Sequence, residues 1–61
     1  GLIASRFDEL GLVFKRLQRY QDAKQMFIIA IEIKEKHFGE DKLITKQSKN
    51  NLQDLLSQLP S

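Results

Sequence analysis

Apolar residues recur along the chain at intervals of three and four positions, which places them on one side of an α-helix. No stretch shows the strict alternation of apolar and polar residues that is typical of a half-buried strand. The pattern predicts three helices, over about residues 2–17, 21–38 and 41–59. Because the linkers are short, consecutive helices are expected to pack as antiparallel hairpins. The predicted fold class is therefore all-α.

The first predicted helix carries an apolar stripe with a glycine inside it. The stripe consists of Ile3, Phe7, Leu10, Phe14 and Leu17. Gly11 would cost up to about 1 kcal/mol relative to alanine in an isolated helix. We therefore expect Gly11 to let another helix approach closely. Lys15, Arg16 and Arg19 lie near the carbonyl end, where positive charge complements the helix dipole.

The second predicted helix is apolar on nearly every face in its middle, over Met26–Ile31. Such a helix must be covered on more than one side. Asp22 places an acid in the first turn, and Gly39 is expected to end the helix in a left-handed conformation. The cationic or cationisable residues expected at its carbonyl end are Lys34, Lys36 and His37.

The third predicted helix has an acidic start at Glu40 and Asp41 and is polar over most of its circumference. Its apolar positions are Leu43, Ile44, Leu52, Leu55, Leu56 and Leu59. Between them lie polar residues that include Thr45 and Ser48, and Pro60 is expected to end the regular structure.

Length and composition limit how such a chain is stabilised. Sixty-one residues allow one small domain with a marginal core, and the chain has no cysteine and one histidine. Neither a disulfide nor a zinc site is therefore expected as a staple. We expect stabilisation from neighbouring sequence or from a partner. The start at Gly1, without an initiator methionine, is expected for a segment of a longer protein.

Charge and hydropathy argue against two classes of function. The net charge is only +2, and charges of both signs alternate without a basic block, so nucleic-acid binding gains no support. No apolar run approaches the roughly 18 residues that span a bilayer, so no membrane insertion is expected. The absence of cysteine fits the cytoplasm or another reducing compartment.

The spacing of large and small residues resembles the tetratricopeptide repeat, whose pattern is W-x2-L-G-x2-Y, then A-x3-F, then P. This chain has Phe7-x2-Leu10-Gly11-x2-Phe14, followed by Ala23-x3-Phe27. The resemblance implies a helix pair in which rings fill the space beside small residues. The usual proline is absent, with Glu35 near its place.

The second half is similar to the longer repeat of kinesin light chains, in the runs Ile31–Asp41 and Asn50–Leu52. That repeat is about 42 residues long, which is the separation of Leu10 and Leu52. In this register Phe7 aligns with Lys49 and Gly11 with Gln53, so the second repeat is degenerate.

The resemblance divides the chain into a helix pair over residues 1–38 and a remainder over residues 39–61. The remainder is a degenerate second repeat or a C-terminal capping helix, since repeat arrays need a polar terminal helix. The alternative is the first half of a further repeat. In the first case the chain is expected to be the C-terminal part of an α-solenoid, and in the alternative the solenoid continues with the second helix of that repeat.

In tetratricopeptide repeats the first helix of each pair lines a groove for a peptide or a partner's helix. The positions that this resemblance implies are Ser5, Asp8, Glu9, Leu12, Arg16, Gln47, Asn50, Asn51 and Asp54. The resemblance gives Asn51 a defined role, since an amide can donate to and accept from a ligand backbone. Asn50 and Asn51 are alternatively solvated residues on a cap. The acids Asp8 and Glu9 disfavour carboxylate-tail binding and favour a mixed or basic ligand.

These features predict a protein-interaction scaffold or adaptor that binds another protein, with no cofactor and no metal. No catalytic residue is predicted, because His37 lacks a nucleophile or carboxylates at metal-ligand spacing and fits a helix-end role. The alternative is a structural capping element of a multi-subunit complex without a groove ligand. An effector-sensing repeat is a third hypothesis, supported by shared architecture alone.

Overall fold

The computed structural model describes residues 2–59, with side chains from residue 5 onward. It contains three α-helices: α1, Leu2–Arg16; α2, Tyr20–Phe38; and α3, Leu43–Gln58. No strand occurs within this range, and the all-α prediction is confirmed. The predicted helix ends agree with the observed ones to within two residues, and the start of α1 and the end of α2 coincide.

Gly11 is a point of close contact between α1 and α2. A Cβ atom added at Gly11 would lie 2.8 Å from Cε1 of Phe27, so only glycine fits without a shift of the ring. Nearer the start of α1, Asp8 pairs with Lys34 of α2. Because residue numbers rise along α1 as they fall along α2, the two helices are antiparallel. The expectation that Gly11 permits a close helix approach is confirmed.

The core lies where both outer helices pack on α2. Ala23 and Phe27 of α2 and Leu55 of α3 are fully buried. The partly buried residues around them are Phe14, Tyr20 and Leu52. As predicted, α2 is covered by more than one neighbour, since both α1 and α3 pack against it.

The apolar stripe predicted for α1 is buried only in part. Phe7 and Phe14 are half-buried, whereas Leu10 and Leu17 are exposed. The side chain of Ile3 lies outside the part of the chain with described side chains. The buried side of α1 is centred on Gly11 and not on the predicted stripe, because the ring of Phe27 packs against the glycine.

The prediction for α3 is wrong at Thr45 and Ser48, which are fully buried and not part of a polar surface. The Thr45 hydroxyl donates to the carbonyl oxygen of Gly39 at 3.0 Å, and Ser48 bonds to side chains of the other helices. Three apolar side chains expected on the buried stripe are instead exposed: Leu43, Ile44 and Leu56. Pro60 lies outside the described residues.

The turn between α2 and α3 also differs in detail from expectation. Gly39 ends α2 with φ 86° and ψ 165°, an extended conformation reserved for glycine and not the left-handed helical one. Its N–H donates to the carbonyl of Glu35 at 3.0 Å. Glu40 and Asp41 lie in the turn, and the first turn of α3 contains no acid.

The end of α1 is a Schellman motif with an unusual residue. The N–H of Arg19 bonds to the carbonyl of Phe14, and the N–H of Gln18 bonds to that of Lys15, at 2.9 and 3.0 Å. Gln18 has φ 62°, a value that glycine adopts without penalty and other residues adopt at a cost of about 1–2 kcal/mol.

We therefore expect Gln18→Gly to raise the free energy of unfolding by about 0.5–1 kcal/mol, since the added flexibility of the unfolded chain offsets part of the relieved strain. Urea denaturation followed by circular dichroism measures the change. The matched control is Gln21→Gly in the first turn of α2, which should lower stability by up to about 1 kcal/mol. A loss of stability in both variants would contradict the assignment of strain to Gln18.

Candidate functional site

The helices α1 and α3 run in the same direction and meet through side-chain contacts. Asp8 accepts a hydrogen bond from the Ser48 hydroxyl at 3.2 Å, and Lys15 Nζ lies 3.3 Å from Asp54 Oδ2. Later residues of α1 thus meet later residues of α3. These contacts define a surface, the α1–α3 surface, on the side of α1 where Asp8 and Lys15 project.

The residues predicted to bind a partner distribute along this surface and its rim. Leu12 is four residues after Asp8 and three before Lys15, so it projects near the same side of α1. Asn51 and Gln47 precede Asp54 by three and seven residues and share its side of α3. The members with exposed side chains are Ser5, Glu9, Leu12, Arg16, Gln47, Asn50, Asn51 and Asp54.

Asp8 differs from the others because its carboxylate belongs to a network that joins all three helices. Lys34 Nζ of α2 lies 2.5 Å from Asp8 Oδ2 and donates to Ser48 Oγ at 2.7 Å. The side chains of Lys34 and Asp8 are only 12% and 18% exposed. Sequence analysis placed Lys34 at the carbonyl end of its helix as a dipole partner, whereas the structure places it in this ion pair.

The remaining ion pairs lie at the surface. The Lys15–Asp54 pair bridges α1 and α3, and Lys49 Nζ lies 3.2 Å from Glu35 Oε2 on the other side of α3. Arg19 pairs with Asp22 at 2.9 Å. Exposed pairs of this kind contribute about 0–1 kcal/mol each, so they orient side chains more than they stabilise the fold.

Pairing changes the electrostatic character expected for this surface. The sequence predicted an acidic patch from Asp8 and Glu9, but the charge of Asp8 is balanced by Lys34 and that of Asp54 by Lys15. Glu9 and Arg16 add one charge of each sign. The α1–α3 surface is therefore close to neutral, and it includes the exposed apolar side chain of Leu12, which its spacing from Asp8 and Lys15 places toward α3.

The inner part of this surface contains two residues, Lys34 and Ser48, that the sequence did not predict to lie there. Lys34 and Ser48 were not expected there, because a lysine and a serine in amphipathic helices are ordinarily solvated. The available signal was positional: Ser48 follows Asp8 by 40 residues, close to the repeat length, so both occupy similar places on parallel helices.

His37 is exposed in the last turn of α2, where its ring centroid lies 6.4 Å from that of Phe38. Among residues 5–59, no three histidine, aspartate or glutamate side chains come together in a way that could hold a metal ion. No helix within residues 2–59 is long and apolar enough to cross a membrane.

Comparison of the chain with protein-family models, with curated protein sequences and with solved structures finds no match. Three features of the chain bear on its function: the parallel direction of α1 and α3, the near-neutral charge of the α1–α3 surface, and the exposed side chains of Leu12 and of the α3 amides.

Proposed function

We propose that the chain is a protein-interaction module that holds an extended peptide or a helix of another protein on the α1–α3 surface. The observation that carries the proposal is the common placement of Leu12, Gln47 and Asn51, all exposed, on adjacent helices that run in the same direction. Leucine supplies apolar contact area, and each amide can donate to and accept from a peptide backbone.

The resemblance to tetratricopeptide repeats supports this proposal. The residues that carry the motif, Gly11 and Phe27, meet at the contact between α1 and α2. Residues 1–38 then form one helix pair of a longer solenoid, and residues 39–61 form a degenerate second repeat or its cap. Because the surface is nearly neutral, the favoured ligand is a segment of low charge and not a basic one.

A second candidate function is that of a structural cap in a larger assembly without a groove ligand. The outer side of α3 favours it, because Lys46, Gln53 and Ser57 leave that side exposed and polar. Repeat arrays need such a helix at their end to stay soluble. The two functions differ in whether the amides of α3 on the α1–α3 surface take part in binding.

A matched pair of amide substitutions on α3 separates them. Asn51 and Gln53 are both exposed, but two residues of helix place them about 200° apart, so only Asn51 lies on the α1–α3 surface. Peptides enriched from a random display library on the wild-type chain should bind Asn51→Ala at least about fivefold more weakly, since an unmade hydrogen bond costs about 1–3 kcal/mol. Binding to Gln53→Ala should change by less than about twofold.

Fluorescence anisotropy with the enriched peptides measures both affinities, and circular dichroism verifies that each variant is folded. The proposal fails if no peptide is enriched over a urea-unfolded sample of the same chain. It also fails if Asn51→Ala and Gln53→Ala bind the peptides equally well, which would leave the structural cap as the better explanation.

A further inference from the structure

The exposed side of α1 that borders α3 carries one continuous stripe of side chains. Asp8 and Lys15 reach from α1 to side chains of α3. Four exposed residues follow one another beside these contacts at intervals of four, three and four positions: Ser5, Glu9, Leu12 and Arg16. Each lies about 100–160° around the helix from Gly11, in the same sense as Asp8 and Lys15. The stripe is therefore turned away from α2, which packs on Gly11.

Glu9 and Arg16 give this stripe a charge of opposite sign at each end. They are seven residues apart, so two helical turns separate them by about 10 Å, with Leu12 between them. Within residues 5–59, neither forms an ion pair with another side chain. The charges of Asp8 and Lys15 next to them are already paired. The described α1–α3 surface is thus neutral in sum, with a separate charge at each end of the stripe.

The distance between the two charges determines which ligands they favour. The Debye length is about 8 Å at physiological ionic strength, which is slightly less than the roughly 10 Å between Glu9 and Arg16. A ligand charge in contact with Arg16 is therefore largely screened from Glu9. A ligand with charges of one sign would be attracted at one end of the stripe and repelled at the other. A ligand with one charge of each sign is attracted at both ends.

We propose that the α1–α3 surface selects a protein segment with a basic residue that contacts Glu9, an acidic residue that contacts Arg16 and an apolar residue between them that packs on Leu12. Such charges are about 10 Å apart, which corresponds to about three residues of an extended segment or seven of a helix. This charge order rests on the proposed function and adds the chemical class of the ligand to it. The order also determines whether the segment runs with α1 or against it.

An exchange of the two charges tests the proposal. The double variant Glu9→Arg with Arg16→Glu keeps the net charge of +2 and changes two exposed residues of α1. Peptides enriched on the wild-type chain should bind it at least about fivefold more weakly, because two attractions become two repulsions. Exchange of the acidic and basic residues in those peptides should restore the affinity to within about twofold of the original value. Fluorescence anisotropy measures each affinity.

The matched control exchanges two charges on α2. Glu32 and Lys36 are exposed and lie about 140° and 180° around α2 from Phe27, which faces α1. Glu32→Lys with Lys36→Glu also keeps the net charge, and it should change peptide binding by less than about twofold. Circular dichroism verifies that both double variants are folded. If the exchange on α1 unfolds the chain, Arg16→Gln replaces it and should weaken binding at least about twofold, with Lys36→Gln as its control.

Salt separates an effect of charge from an effect of shape. At about 1 M salt the Debye length falls to about 3 Å, so the affinities of the wild-type chain and the exchanged variant should come within about twofold of each other. An undiminished difference in this salt would overturn the proposal, because it would assign the weaker binding to altered packing.

Equal binding by the wild-type chain and the exchanged variant at low salt would also overturn the proposal, as would enriched peptides with charges of only one sign. Under either outcome, weaker binding by Asn51→Ala would leave the proposed function in place. If no peptide is enriched, the proposed function fails, and the charge order of the ligand fails with it.

Discussion

Replacement of Lys34 by methionine is expected to lower the free energy of unfolding by about 2–4 kcal/mol, because it leaves the carboxylate of Asp8 largely buried without its cation. Methionine retains most of the apolar length of lysine, so the loss reports on the ammonium group. Lys34 contacts both Asp8 and Ser48, and its side chain is 12% exposed. For a chain of 61 residues, a total stability of about 3–9 kcal/mol makes such a change close to complete unfolding.

Urea denaturation followed by circular dichroism measures this loss. The matched control is Lys49→Met, which removes the exposed pair with Glu35 and should cost about 0–1 kcal/mol. The double variant Asp8→Leu with Lys34→Met should recover much of the loss, because no buried charge is left unpaired. Equal effects of Lys34→Met and Lys49→Met would show that the network does not hold the three helices together.

Apolar periodicity was enough to predict the three helices and the central position of α2. The side chains of Phe7 and Phe14 repeat at helical spacing on the first helix, and a helix as apolar as Met26–Ile31 requires neighbours on two sides. The role of Gly11 was also predictable, because a glycine inside an apolar stripe has few other uses. These conclusions depend on local spacing, which a sequence displays directly.

The polar part of the interior was not predictable in the same way. Ser48 and Thr45 are fully buried, and the side chains of Lys34 and Asp8 are mostly buried, yet each residue type is ordinarily solvated. Their burial depends on the meeting of three helices at one point, where each polar atom finds a partner. Hydrophobic periodicity records the side of a helix that is apolar, and it does not record which polar residues will meet across a contact.

The character of the candidate site changed for the same reason. Counting residues gave an acidic patch at Asp8 and Glu9, whereas the pairing of Asp8 with Lys34 and of Asp54 with Lys15 gives a nearly neutral surface. The positions of Leu12 and Asn51 followed from helical spacing, but the charge of the surface between them depends on contacts between residues 26 to 39 positions apart.

Gly11→Ala is expected to destabilise the chain by about 1–3 kcal/mol, although alanine favours a helix over glycine by about 1 kcal/mol. The added Cβ would lie 2.8 Å from Cε1 and 2.9 Å from Cζ of Phe27, inside van der Waals contact. The ring cannot move away freely, because Phe27 is fully buried between Ala23 and Leu55. The helices must separate, or the ring must leave its preferred rotamer.

A double-mutant cycle with Phe27→Leu shows whether this contact is the cause. Leucine lacks the distal ring atoms that approach Gly11, so in the Phe27→Leu background Gly11→Ala should be neutral or stabilising by up to about 1 kcal/mol. Urea denaturation of the four proteins at one concentration gives the coupling energy, and Ser5→Ala on the exposed side of α1 should change stability by less than about 0.5 kcal/mol. A loss of the same size in both backgrounds would assign the effect of Gly11→Ala to something other than the ring. The effect of Gly11→Ala on the free energy of unfolding is expected to change sign between the two backgrounds. Glycine is unfavourable for α1 as an isolated helix, and it is favourable only where Phe27 packs against it.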